Sequence, residues 1–203
     1  MALTLYGVTV NDTSANDIVV ADVELIAIRD LAAICGIVDY KAAQTTEPSV
    51  DRHAVVVSTY SARGPVLPAP VGAVFRTHDA VRRWLELHYS ALTGAMVFVE
   101  NRVAGRVHIW RPGPEEEREA GADLAAIAAE SLRVLRRSAV ATVPLRVEKL
   151  TGVVLSAAFL VEEELWKEFV AQVAAQKESV TGVRFELTGP WPPYDFIQMQ
   201  LGS

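Results

Sequence analysis

Histidine, cysteine and paired carboxylates are the side chains with which this sequence could ligate a metal, attack a carbonyl or move a proton, and their spacing argues against each. His53, His78, His88 and His108 stand on different predicted elements, and no two recur at the spacing that sets a pair of imidazoles on one helical face for a metal. His88 falls on an apolar stripe with Trp84, where a packed, hydrogen-bonded ring is the simpler reading than a ligand or a catalytic base. His108 alternates with Trp110 in a strand-like segment, so both rings face one side of a sheet as a cross-strand pair. Cys35, the single cysteine, cannot form an internal disulfide, and its neighbours Ala33, Ile34, Gly36 and Ile37 make it a small buried apolar side chain rather than a nucleophile. The acid triplets Glu115 to Glu117 and Glu162 to Glu164 cannot converge on one proton, because consecutive helical residues point in different directions; they read as helix starts, where the dipole favours acids. There is no Gly-x-Ser-x-Gly elbow, glycine-rich Lys-Ser/Thr loop or Cys-x-x-Cys pair. Glu100, Arg106 and His108 form the one cluster from which a dispersed polar pocket could be built. The residues therefore predict no catalytic group, no cofactor and no metal.

One segment carries a specific pattern of another kind. Leu187-Thr188-Gly189-Pro190-Trp191-Pro192-Pro193-Tyr194-Asp195-Phe196 interleaves three prolines and a glycine with three aromatics. Proline fixes φ and removes a backbone donor, and the residue before each proline is pushed toward extended geometry, so the pattern predicts a stiff, extended C-terminal arm. Trp191, Pro192, Pro193, Tyr194 and Phe196 are the candidate partner-binding residues, since rings on a stiff backbone lose little entropy on docking. Two readings stand side by side: the arm folds back to cap the C-terminal sheet, or it is an exposed interaction element.

Composition narrows the function classes. The net charge is −6, and the best basic cluster, Arg133, Arg136 and Arg137, sits at a predicted helix C-terminus, which argues against nucleic acid as a partner. With 51% hydrophobic and 22% charged residues the 203-residue chain can build a sizeable core. No apolar run is long enough to span a bilayer, and the N-terminus lacks the basic and apolar regions of a signal peptide, so no membrane insertion is expected and a cytoplasmic location is.

The elements that must position these residues divide into two halves, a domain over 1–93 and another over 94–203. Residues 3 to 10 read as a strand, Asn11 to Asp17 as a loop, and Ile18 to Ala21, Val23 to Arg29 and Leu31 to Val38 as short strands of a small antiparallel sheet. Val50 to Tyr60 fits a helical stripe of Val50, Ala54, Val57 and Tyr60, and also a buried strand around Ala54 to Val57. Thr77 reads as an N-cap of an amphipathic helix with Val81, Trp84, Leu85, His88 and Leu92 on one face, stopped by Gly94.

In the second half, Met96 to Glu100 and Arg106 to Trp110 read as strands around a hairpin turn at Asn101 to Gly105. Pro112 to Pro114 then introduce a helix with Leu124, Ile127, Ala128, Ser131, Leu132 and Leu135 inward. Val140 to Val147 and Val153 to Val161 read as strands around a turn at Lys149 to Gly152. Glu162 to Glu164 open a last helix with Leu165, Phe169 and Val173 inward, and Val183 to Leu187 is a final strand. The class is α+β, and the strand-helix-strand-strand-helix-strand order is the ferredoxin-like pattern, here ending in the proline-rich arm.

Gly-Pro-Trp-Pro-Pro-Tyr-x-Phe at 189–196 resembles the C-terminal signature of the gas vesicle protein F/L family. Leu5-Tyr6-Gly7 is similar to that family's first strand, the run from Gly64 to Phe75 to its central Leu-Pro, Gly and Phe pattern, and Ala157-Ala158-Phe159-Leu160-Val161 before an acidic helix start also fits. The chain departs from the pattern at Pro70 and Val71, where family members often carry a basic residue and Phe. The resemblance tips Val50 to Tyr60 toward helix. It implies an accessory protein of gas vesicle formation that is not an enzyme, with the small, very apolar shell protein and other accessory proteins as partners. The alternative from the residues alone is a ferredoxin-like protein that binds or converts a small molecule through a dispersed site, and a dimerising scaffold built on sheet edges is a third reading.

Overall fold

A strand whose apolar residues fall on both of its faces requires cover on both, and the first strand of the computed structural model has it, with Leu3, Leu5, Tyr6 and Val8 all buried. The structure describes residues 2–39, 46–111, 124–147 and 152–201. Contacts divide the chain into two compact units, Met1–Glu100 with Pro192–Ser203, and Asn101–Trp191.

In the first unit β1 (Ala2–Val10) is followed by a single helical turn, α1 (Thr13–Asn16), then β2 (Val23–Ile28), β3 (Leu31–Val38), α2 (Glu47–Ser61), β4 (Val66–Pro68), β5 (Val74–Phe75) and α3 (His78–Val99). The sheet order is β2-β3-β1-β4, with β5 also on β1, and every pairing is antiparallel. Leu3, Leu5 and Val8 face a core completed by Val81, Trp84, Leu85, Leu92, Met96 and Val99 of α3. Tyr6 and Ile34 face a second core completed by Val56, Val57 and Tyr60 of α2. A bulge between Leu5 and Gly7 explains the change of parity that puts both Leu5 and Val8 on the α3 side.

Expectations for this unit change at Ile18 to Ala21 and at Gly94, while the helical reading of Val50 to Tyr60 holds. Ile18 to Ala21 forms no strand, because the chain turns through Asp22 at φ 58° before β2 begins. Val50 to Tyr60 is helical, and its buried positions His53, Val56, Val57 and Tyr60 keep the three-to-four spacing of a helix rather than the alternation of a strand. Gly94 does not stop α3. Thr77 caps the helix as expected, its hydroxyl accepting from the Ala80 N–H at 3.1 Å, but Leu92, Met96 and Val99 continue the buried stripe past the glycine. Burying those three side chains outweighs a glycine penalty of about 1 kcal/mol. Met96 to Glu100 is therefore the end of a helix and not a strand, and Asn101, at φ 56°, makes the turn that follows.

The second unit runs β6 (Arg102–Trp110), α4 (Leu124–Leu135), β7 (Ala141–Pro144), β8 (Val153–Glu162), α5 (Trp166–Ser179) and β9 (Arg184–Trp191). Its sheet has the order β7-β8-β6-β9, all antiparallel. Val107, Ile109, Ala157, Phe159, Val161 and Phe185 pack against Ala128 and Leu135 of α4 and Phe169 and Val173 of α5, so both helices cover one face. The expected hairpin at Asn101 to Gly105 is absent, since β6 runs unbroken from Arg102 against β8. Glu162 ends β8, and Glu163–Leu165 form a 3-10 turn that leaves Leu165 exposed, so the helix opens at Trp166 instead of at the acid triplet. The expected helix start at Pro112 to Glu117 lies outside the described residues, as do residues 149–151 of the expected turn at Lys149 to Gly152, of which Gly152 is described, at φ 85°. Among the described residues no helix is long and apolar enough to cross a membrane.

A Cβ at Gly94 would meet nothing within 4 Å, so Gly94→Ala removes backbone entropy from the unfolded chain at no steric cost. The variant is expected to be more stable by about 0.5–1 kcal/mol in urea denaturation.

Candidate functional site

The aromatic and proline segment begins inside a strand rather than after one. β9 continues past Leu187 through Gly189, Pro190 and Trp191, and Trp191 lies opposite Ala104 of β6. The Gly189–Pro190 peptide is cis and Gly189 has φ 128°, a conformation that favours glycine. Space demands glycine as well. A Cβ at Gly189 would lie 2.8 Å from the Ala104 carbonyl oxygen and 3.3 Å from the Trp166 ring, and one at Gly105 would lie 2.8 Å from the same ring. Trp166 thus lies edge-on between two glycines of adjacent strands, and stacks on Phe169 with ring centroids 5.9 Å apart. The sequence reading missed Trp166 as the residue that shapes this bend; a glycine inside the β6 pattern was the available signal.

Trp191 is 46% exposed. Its indole N–H donates to the Thr188 hydroxyl at 3.2 Å, which sets the ring orientation without burying it. The chain then leaves the second unit, and Pro192 begins its return to the first. Instead of an extended arm, Tyr194–Phe196 form a 3-10 turn, with the Tyr194 N–H donating to the Pro192 carbonyl and the Phe196 N–H to the Pro193 carbonyl at 2.8 and 3.0 Å. Pro193 is buried, and Pro192, Tyr194 and Phe196 are half-buried. Tyr194 packs on the core of Tyr6 and Tyr60, while Ile197, Met199 and Leu201 pack on the α3 core. The Trp84 indole N–H donates to the Gln200 carbonyl at 2.9 Å. Of the five candidate residues, Trp191 is the exposed one.

His53 is a buried titratable group beside this segment. Only 2% exposed, it lies between Tyr6 and Tyr194 at centroid distances of 5.5 and 6.2 Å. Its Nε2 has no hydrogen-bond partner. Burial holds its pKa below the ordinary 6.5, partly offset by a hydrogen bond to the Ala69 backbone.

The remaining chemistry-bearing residues are dispersed. His78 pairs with Glu24 at 2.7 Å, His88 lies against the Trp84 ring at 5.5 Å, and His108 Nδ1 meets the Ser156 hydroxyl at 2.8 Å. Arg106 and His108 share one face of β6, whereas Glu100 caps α3 in the other unit. Cys35 is fully buried, and burial, with Glu24 nearby, pushes its thiol up to about 12, so it carries no thiolate at neutral pH. Among the described residues no group of three or more His, Cys, Asp or Glu is placed to hold a metal ion.

Comparison with known proteins gives one consistent result. The family model of the gas vesicle synthesis protein GvpL/GvpF matches residues 2–123 and 111–198. Gas vesicle protein F2 of Halobacterium salinarum is 22% identical, the match covering 88% of this chain and 81% of that protein. Gas vesicle protein L of a Streptomyces species is 29% identical over 71% of this chain, which spans 66% of that relative, just under two thirds. The crystal structures of GvpF from an Anabaena species and from Microcystis aeruginosa each superpose with a TM-score of 0.80 at 15% and 16% identity, covering 98% of this chain and 99% of theirs. At that identity the structural likeness establishes the α+β fold.

Two outcomes follow from the geometry. Gly189→Ala forces a Cβ against backbone in a left-handed conformation and is expected to cost about 2 kcal/mol or more in urea denaturation. For His53 the unfolded chain takes up a proton before the folded one does, so its contribution is complete above the ordinary 6.5 and is lost as pH falls below that value toward the lowered folded pKa. Melting temperatures measured from neutral pH down to about pH 5 should fall less steeply in His53→Phe than in the unaltered chain.

Proposed function

The chain belongs to the GvpL/GvpF family of gas vesicle synthesis proteins, and from that premise we propose that it is a non-catalytic accessory factor that binds the gas vesicle shell subunit, or other accessory proteins, during assembly. The observation that carries this reading is the family match across nearly the whole chain. A small, very apolar subunit free in water self-associates, and a binding partner in the cytoplasm would hold it in a form competent to assemble. Trp191 is our contact residue. Its ring stands exposed on a strand end held by the Trp166 packing, and a large ring on a rigid support loses little conformational entropy when a partner covers it. The chain that follows is anchored within the first unit by Pro193, Tyr194 and Phe196. We take the strand and helix order of the second unit as the ferredoxin-like arrangement.

Co-expression of the gas vesicle shell protein with and without this chain, followed by sedimentation, tests the reading. Shell protein is expected to stay soluble and co-purify with the unaltered chain, and Trp191→Ala is expected to lower the retained amount about tenfold while leaving the melting temperature nearly unchanged. Equal retention by Trp191→Ala removes Trp191 as the contact, and no co-purification with a well-folded chain removes the shell subunit as the partner.

A further inference from the structure

The first unit contains a cavity of about 310 Å³ between β1, the end of β3, the first two turns of α2 and the turn at Val71 and Gly72. That is the volume of roughly ten water molecules, at the lower end of small-molecule sites. Its lining separates by character. Ile37, Val38, Val71 and Val74 form an apolar side, and Arg52 and His53 stand on the α2 side with the hydroxyls of Tyr6 and Thr46 among the other polar groups. Among the described residues no aspartate or glutamate lines it, although the chain carries a net charge of −6.

Electrostatics in this cavity favours one sign of ligand. The Arg52 guanidinium donates once to the Ala21 carbonyl, and five N–H donors leave it capacity for a further acceptor. α2 begins here, so the positive end of its dipole adds to the guanidinium. His53, buried in the same wall, has an Nε2 atom without a partner; while burial keeps the ring neutral and its other nitrogen donates to the Ala69 backbone, that atom is an acceptor, so the selection for an anion falls to Arg52 and the helix end. A cation with no carboxylate facing it among the described lining residues, beside an apolar wall, matches a ligand with one negative end and one hydrocarbon end.

We propose that this cavity binds a short aliphatic carboxylate, its charged end at Arg52 and its chain along Ile37, Val38 and Val71. The proposal is independent of the partner reading above, because no residue of the 189–196 segment lines the cavity.

Titration of the full chain with hexanoate and, separately, with hexanol, read from backbone amide NMR shifts, tests the assignment. Saturable shifts at Arg52, Val71 and Gly72 are expected, with hexanoate binding about tenfold more tightly than hexanol, a difference of about 1.4 kcal/mol. Arg52→Gln should abolish that preference. An acetylated dipeptide with a free terminal carboxylate separates a chain end from a free acid, and its binding in preference to hexanoate overturns the proposal. So do equal binding of hexanoate and hexanol, or absence of saturable shifts at these residues. The hexanoate and hexanol comparison on the unaltered chain decides the matter even where Arg52→Gln folds poorly.

Discussion

Closure of the first unit by chain that comes after the second is the constraint on which the rest of the structure depends. Ile197, Met199 and Leu201 pack on a core whose other members lie between Leu3 and Val99. The Trp84 indole holds the Gln200 carbonyl, and Tyr194 lies beside His53. Three part-buried apolar side chains contribute a few kcal/mol at about 25 cal/mol per Å², a sizeable share of a domain's net stability of about 5–15 kcal/mol. The first unit is therefore closed only with Ile197, Met199 and Leu201 in place, and β9 has to release the chain at Trp191 for that return.

The release itself is built from shape. Trp166 occupies the space that side chains at Gly105 and Gly189 would take, and the strand bends at Gly189 with a backbone conformation suited to glycine. The bend leaves the Trp191 ring outward, while the residues after it are drawn inward. Packing thus decides which of several adjacent aromatics is presented: Tyr194 and Phe196 are bound by their own unit and Trp191 is not.

Much of the fold was legible in period and capping. The Thr77 cap, the α3 stripe and the strands at Leu31 to Val38 and Val153 to Val161 follow from local chemistry that tertiary contacts only reinforce. Gly94 and Met96 to Glu100 misled because glycine weakens a helix by about 1 kcal/mol, less than the burial of Met96 and Val99 returns. The proline-rich segment misled in a different way. Proline restricts φ but does not forbid an edge strand or a 3-10 turn, and β9 is an edge strand of its sheet. The wedge of Trp166 between two glycines some 84 positions apart in sequence is a tertiary fact with only a faint local signal, and so is the burial of His53 between Tyr6 and Tyr194. Family kinship was legible from the same segment whose conformation was not, since a motif records residue identity and not the path of the chain.

The chain contains four tryptophans, Trp84, Trp110, Trp166 and Trp191, which permits one direct measurement. With 5-fluorotryptophan in all four positions, the fluorine NMR spectrum of the full chain should respond to added gas vesicle shell protein at Trp191, by a shift or broadening, while the buried Trp84 and the wedged Trp166 stay unchanged. A Trp191 resonance that does not move while the shell protein binds elsewhere contradicts the account.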